Sequence, residues 1–335
     1  MMTTLVFVAA FCLVAVLVYM ARYSGRVRLS QTRLIDAPLD QVFAQVADFQ
    51  HWGAWNPWLA HESEARLKIV GQSGSIGSQC TWDHTAVGAG SFELVRTVAL
   101  KSMTQKMGLK QPFLVRGRSQ WTFTDRDGKT EVRWQIHARV AFAMRAFSQT
   151  VKAALELDCR FGLDRLAALL EPADAPRYQL TVIGPRDIEA CRYVYQTYQG
   201  SIKGLPDAMR QCHADLHAQL EKLGIQPTGA PLAYYTKTNI KLRTTVCHMG
   251  LPIGNADAAH LAVREMPSHR AFAVRLQGDC AALELAWYCA MQRLTIDKLK
   301  SDQRLPPFEA YLVTSVTGHS NDCVTEVNIP LVMPN

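Results

Sequence analysis

The residues best suited to chemistry lie near the end of the chain. Glu309 stands in the run Phe308-Glu309-Ala310-Tyr311-Leu312-Val313, a carboxylate among apolar and aromatic neighbours. Burying a carboxylate unpaired is costly, so it calls for a partner or a solvated recess. Glu309, Tyr311, Tyr235, Trp287, Tyr288, Tyr193 and Tyr195 form the candidate ligand site. Aromatic walls around one carboxylate suit a planar or cationic organic ligand, held by stacking, cation–π attraction and one charge pair. They also suit catalysis. An apolar surrounding raises a carboxyl pKa, and Glu309 would then serve as a general base near neutral pH. The plain alternative has the tyrosines and Trp287 in a core, with Glu309 facing solvent on an edge strand.

A second candidate is weaker. His213 and His217 stand four apart, on one face of a predicted helix, as a metal pair would. No glutamate follows His213 as a metalloprotease motif requires, and no third ligand is visible. Two solvent-facing histidines is the better reading, and we expect neither metal nor cofactor.

The elements around Glu309 are legible. Phe308–Val313 and Cys323–Leu331 are two β-rich runs flanking a turn-rich segment, the mark of a hairpin. The pattern occurs earlier as Leu232–Tyr235 and Thr245–Ile253. Spacings of 78, 76 and 78 residues separate Gly200 from Gly278, Tyr235 from Tyr311 and Pro252 from Pro330. Near-constant spacing implies a duplicated strand–helix–hairpin unit. Its helices run over Leu205–Gly224, with a stripe of Leu205, Met209, Cys212, Leu216, Leu220 and Leu223, and from about Cys280 to Lys300.

Residues 177–335 resemble the gyrase-inhibitor-like (GyrI-like) effector-binding domains. The resemblance is carried by the helix led by Gly278, by Phe308-Glu309-Ala310-Tyr311 and by Glu326-Val327-Asn328-Ile329-Pro330-Leu331. It implies two pseudo-symmetric β-α-β-β modules around an aromatic pocket, with a central glutamate that falls on Glu309. Some members are hydrolases of reactive natural products.

Upstream lies a different pattern. Arg28–Ile35 reads as a strand, and Ala37–Asp48 as a helix with Pro38 in its first turn. Trp52-Gly53-Ala54-Trp55-Asn56-Pro57-Trp58 follows. From Val132 to Phe142 apolar residues alternate strictly with polar ones, which gives a strand with one face in a core and one in water. Asp125–Lys129 is the turn that feeds it. A helix from about Met144 to Leu170 ends the region. Arg116, Arg118, Trp121 and Trp134 could line a cavity. Clean alternation favours the arginines in solvent and the tryptophans in the core.

Residues 26–172 resemble the START-like superfamily of polyketide cyclases and lipid-transfer proteins (SRPBCC). The carrying residues are Ile35–Phe43, Trp52–Trp58 and Gly128–Trp134. The resemblance implies a helix-grip domain, with a sheet wrapped around the long helix and an apolar cavity between them. It fixes no chemistry. Glu171–Pro176, with two prolines, reads as a short stiff linker.

Residues 1–25 complete the plan. Thr3–Met20 carries no charge and is almost uninterruptedly apolar, near the lower length for crossing a bilayer. Arg22, Arg26, Arg28 and Arg33 follow it, which places the rest of the chain in the cytoplasm by the positive-inside rule. The nine cysteines form no CxxC pair and mostly sit in apolar runs, as free thiols in a reducing compartment do. The net charge of +7 is partly that arginine cluster, and no DNA-binding helix pair is seen, so nucleic acid is not an expected partner.

The expected fold class is α+β, with an N-terminal transmembrane helix, a START-like domain and a duplicated GyrI-like domain. The expected function is membrane-anchored binding or sensing of a small apolar or aromatic compound, neutral or cationic, by a single-pass protein of the inner membrane. The alternatives are a Glu309-dependent hydrolase that detoxifies a reactive molecule, and a module that masks a protein partner.

Overall fold

The computed structural model describes residues 18–59, 67–84, 88–110, 114–172, 178–239, 242–258, 260–313 and 323–333. The chain divides into two compact units, Met1–Ala175 and Pro176–Asn335. Up to residue 17 the expected membrane-spanning stretch lies outside the described residues, as do residues 173–176 of the linker and turn residues 314–322. Among the described residues no helix is long and apolar enough to cross a membrane.

The first unit is one antiparallel sheet laid against a long helix. Its strands are β1 (Arg26–Ile35), β2 (Lys68–Val70), β3 (Gln79–His84), β4 (Gly88–Val98), β5 (Ser102–Leu109), β6 (Val115–Arg126) and β7 (Lys129–Val140). They run in the order β1-β7-β6-β5-β4-β3-β2. The β6–β7 turn is Asp127-Gly128, both at positive φ (55° and 83°), the left-handed pair that a two-residue hairpin requires. Along β7, Val132, Trp134, Ile136, Ala138 and Val140 are buried and every second residue faces out, as the alternation predicts. Arg116 and Arg118 are exposed, and Trp121 and Trp134 are in the core.

Among the described residues, three helices follow β1: α1 (Leu39–Ala47), α2 (Trp52–Trp55) and α3 (Ser148–Leu170). The last starts later than expected, because Phe142–Phe147 forms a 3-10 segment first. The START-like resemblance implies a cavity between α3 and the sheet, and tryptophans occupy that interior. Trp121 and Trp134 stack at 4.2 Å, and Trp55 meets both edge-on at 5.9 and 6.3 Å. Five indole N–H groups donate to acceptors: Trp52 to Val46 O, Trp55 to Gln45 O, Trp58 to Asp158, Trp121 to Gln105 and Trp134 to Ser119. That satisfaction lets so many polar edges be buried.

In the second unit the strands are β8 (Gln179–Ile188), β9 (Cys191–Ser201), β10 (Leu232–Asn239), β11 (Thr244–Pro252), β12 (Val263–Met266), β13 (His269–Gln277), β14 (Phe308–Val313) and β15 (Val324–Pro330). The helices are α4 (Leu205–Lys222) and α5 (Leu283–Ile296), the latter shorter than its sequence pattern. The antiparallel sheet runs β12-β9-β11-β10-β14-β15-β13-β8. The duplication is therefore real in the fold: β9-α4-β10-β11 is repeated as β13-α5-β14-β15, meeting back to back at β10 and β14. The leading strands are exchanged. β8, which precedes the first repeat, pairs with β13 of the second, while β12 pairs with β9 of the first.

One glycine joins the tryptophan motif to α3. A Cβ at Gly162 would lie 2.7 Å from Pro57 and 3.3 Å from Trp134. Alanine is the better helix former by about 1 kcal/mol. We nevertheless expect Gly162→Ala to destabilise the first unit by about 1–3 kcal/mol, because overpacking outweighs propensity. Urea unfolding followed by tryptophan fluorescence measures it, and a stabilised variant would refute the packing account.

Candidate functional site

The two helices of the second unit pack over different pairs of strands. α4 packs on β9 and β11, and α5 on β13 and β15. The central strands β10 and β14 lie between them. Glu309 on β14 pairs with Ala233 on β10 and Val327 on β15. It is 1% exposed, at the centre of the sheet and not on an edge strand. Tyr311 is two residues along β14, and Tyr235 two along β10 from Ala233, so both share Glu309's face.

Three aromatic donors converge on the carboxylate. The Trp287 indole N–H, from α5, donates to Oε1, and the Tyr311 hydroxyl donates to Oε2. The Tyr235 hydroxyl also hydrogen-bonds Glu309. Tyr235 and Trp287 meet edge-to-face at 5.3 Å. All three donors are half-buried, while the acid they meet is fully buried.

No cation faces Glu309 among the described residues. Burial raises its carboxyl above the ordinary range, against the hydrogen bonds from Tyr311, Trp287 and Tyr235. Burial and then the nearby carboxylate push the hydroxyls of Tyr235 and Tyr311 well up, so both stay protonated donors. Glu326 gives the contrast. It is equally buried, but Arg186 and Arg275 hold it from both sides, with Arg275 Nη2 at 2.6 Å. One buried glutamate of this unit is neutralised by arginines, and the other is met only by neutral donors.

The structure gathers four of the seven candidate residues and separates two. Gly250 pairs with both Leu232 and Tyr195, one register away from the Ala233–Glu309 row. Tyr195, and Tyr193 two residues before it, therefore point to the opposite face. There Tyr193 packs on Tyr234 at 4.8 Å, Tyr234 on Phe308 at 4.9 Å, and Tyr195 stacks on His248 at 4.2 Å. Tyr288 is half-buried on α5 beside Trp287.

Two nearby residues were not assigned to this site from sequence. His213 is not a solvent-facing partner of His217. It is half-buried, with its ring 5.9 Å from Tyr311 and Nε2 3.4 Å from Leu232 O, and burial lowers its pKa. Cys247, directly across from Tyr235, is pushed up to about 12, by burial first and then by Glu309. The hairpin register alone would have placed it there. Among the described residues no group of three or more His, Cys, Asp or Glu is placed to hold a metal ion. All eight described cysteines are free, though Cys280 is exposed rather than buried.

The Glu309 environment has a cost that can be measured. A carboxyl with a raised folded-state pKa adds stability while protonated and loses it as pH rises through that value. Glutamine keeps the shape and removes the charge. We expect Glu309→Gln to raise the melting temperature of the ligand-free protein at pH 8 by a few degrees (~1 kcal/mol). The gain should disappear below about pH 4.5, where the unfolded-state acid is protonated too. A variant less stable than the parent at pH 8 would show that the charge is compensated.

Comparisons with known proteins found the following. No curated protein matches the chain at a significant level. Among solved structures, protein CV1439 of Chromobacterium violaceum is 16% identical and covers 44% of this chain and 98% of its own, with a TM-score of 0.35. The C-terminal domain of EcmrR is also 16% identical, covers 47% of this chain and 99% of its own, and has a TM-score of 0.38. SAV2435 bound to tetraphenylphosphonium is 14% identical over 47% of this chain and 94% of its own, at 0.36. The family model for polyketide cyclase / dehydrase and lipid transport matches residues 26–171, the tryptophan-filled part of the first unit.

Proposed function

We propose that the second unit is a GyrI-like effector-binding domain that binds a small lipophilic aromatic cation, within a membrane-anchored protein that senses or sequesters such compounds. One observation carries this reading. Glu309 is a buried carboxylate ringed by three aromatic donors, with no cationic side chain facing it among the described residues. A ligand with one delocalised positive charge supplies the missing countercharge, and its rings find Trp287, Tyr235 and Tyr311. Desolvated cation–π contacts contribute about 2 kcal/mol each. Both partners are weakly hydrated, so pairing them costs less than burying an ammonium would. The family of the first unit, which includes lipid transport, fits a protein that handles apolar molecules. The apolar stretch Thr3–Met20 is its proposed anchor in the inner membrane, with both units in the cytoplasm.

A second reading has one observation in its favour. The raised Glu309 pKa would let the acid act as a general base near neutral pH, in a hydrolase of reactive small molecules. Binding leaves the ligand unchanged at saturation, and hydrolysis consumes it.

Tetraphenylphosphonium is a suitable probe, being a permanent cation clothed in rings. Cation binding favours ionised Glu309, so affinity should rise with pH through the acid's raised pKa and level off above it. Glu309→Gln should weaken binding at least tenfold (about 1.4 kcal/mol) at pH 8 and flatten the profile. Trp287→Phe keeps a ring but removes a donor from the carboxylate, so its profile should move to higher pH. Isothermal titration on the full chain measures all three. Unchanged affinity in Glu309→Gln would remove the acid from the site.

A further inference from the structure

The outer face of the first sheet carries a charge pattern that folding alone does not account for. In the register of β1, β7 and β6, Arg26 stands opposite Arg139, and Arg139 opposite Arg116. The next outward row is Arg28, His137 and Arg118, continued by Lys106 on β5. All are exposed. Adjacent strands are about 4.8 Å apart, well within a screening length, and like charges directly opposite destabilise a sheet. Among the described residues, Arg26, Arg28, Arg116, Arg118 and Arg139 meet no carboxylate, whereas Lys106 has Glu93 at 3.5 Å. These three strands hold no acid until Asp125 and Glu131 at their far end.

The densest row lies at one end of the sheet, and that end is also apolar. Leu114, Phe142 and Phe147 are 41, 42 and 52% exposed there. Arg145 lays its guanidinium over Phe142 at 4.7 Å and packs on Gly25. Gly25 O accepts from Val140 N, which ties residue 25 to this end. The apolar stretch ending at Met20 therefore enters the unit beside the arginine rows and the exposed phenylalanines.

We propose that this end of the first unit docks flat on an anionic phospholipid bilayer, with Leu114, Phe142 and Phe147 dipping among the acyl chains and the arginine rows meeting headgroup phosphates. The proposal rests on the anchor reading of Thr3–Met20. Arginine suits phosphate because its planar fork binds two oxygens, and an anionic surface relieves the repulsion along the ladder. Nucleic acid phosphates would also meet arginines, but they offer nothing to three exposed apolar side chains. A basic surface with apolar tips is the signature of interfacial binding.

The test uses the full chain carrying Phe147→Trp and vesicles with brominated acyl chains, against the unsubstituted chain as background. Flotation on neutral phosphatidylcholine vesicles reads the anchor. Quenching of the new tryptophan reads the docking. We expect flotation on both vesicle types, but quenching, with about a twofold loss of the added fluorescence, only when phosphatidylglycerol is present. High salt should reverse the quenching, as should Arg116→Gln with Arg139→Gln. That double variant should melt no lower than its parent in the absence of lipid, since it relieves like-charge pairs. Failure to float on neutral vesicles, with quenching retained on anionic ones, would remove the anchor and leave the docking surface. Equal quenching on both vesicle types, or none on either, overturns the proposal. So does a lower melting temperature in the double variant, or salt-dependent binding of a random DNA duplex with no response to vesicle charge.

Discussion

A carboxylate without a countercharge is the constraint around which the second unit is arranged. Glu309 cannot be left dry and unpaired, and three neutral donors are what the fold supplies in place of a cation. Each donor comes from a different element: Tyr235 from β10, Tyr311 from β14 and Trp287 from α5. Their convergence requires the two repeats to meet at β10 and β14, and α5 to lie to one side of that seam. The arginine-clamped Glu326 marks the contrast between an acid neutralised by cations and one met only by neutral donors.

The first unit answers a related difficulty in another way. Six tryptophans are packed into it, and five donate their polar edges to backbone, amide, hydroxyl or carboxylate groups. The interior of this unit is thus stiffened by rings where the resemblance alone leads one to look for empty space. Gly162 on α3 is the concession that makes the packing fit, since it lets the helix approach Pro57 and Trp134.

What could be read from sequence divides along a physical line. Local periodicity was visible: strand β7 announces itself by strict alternation, its turn by Asp127-Gly128, and α4 by its leucine stripe. The repeat was visible because its landmarks keep nearly one spacing. Glu309, Tyr235, Tyr311 and Trp287 could be named because a lone acid among aromatics is conspicuous in a short window. Whatever depends on pairing between distant strands was hidden. Tyr193 and Tyr195 fall on the other face because a register of one residue decides a side. His213 turns inward because α4 lies against the sheet at that angle. The row formed by Arg26, Arg116 and Arg139 draws on three widely separated segments, so no window could contain it. The exchange of β8 and β12 was hidden for the same reason.

That pairing of Ala233 with Glu309 across the seam has a consequence for how such a site can arise. Two identical chains joined about a two-fold axis must place the same residue on both sides of it. At this position they would set two glutamates face to face, where mutual repulsion disfavours ionising both, or none at all. Only when the halves are covalently joined, and so free to diverge, can one side keep the acid while the other shrinks to alanine. Tyr235 and Tyr311 preserve the old equivalence, and the single carboxylate between them records its loss. The crossed leading strands fit the same history, since each half still completes its sheet with a segment belonging to the other, as swapped dimers do.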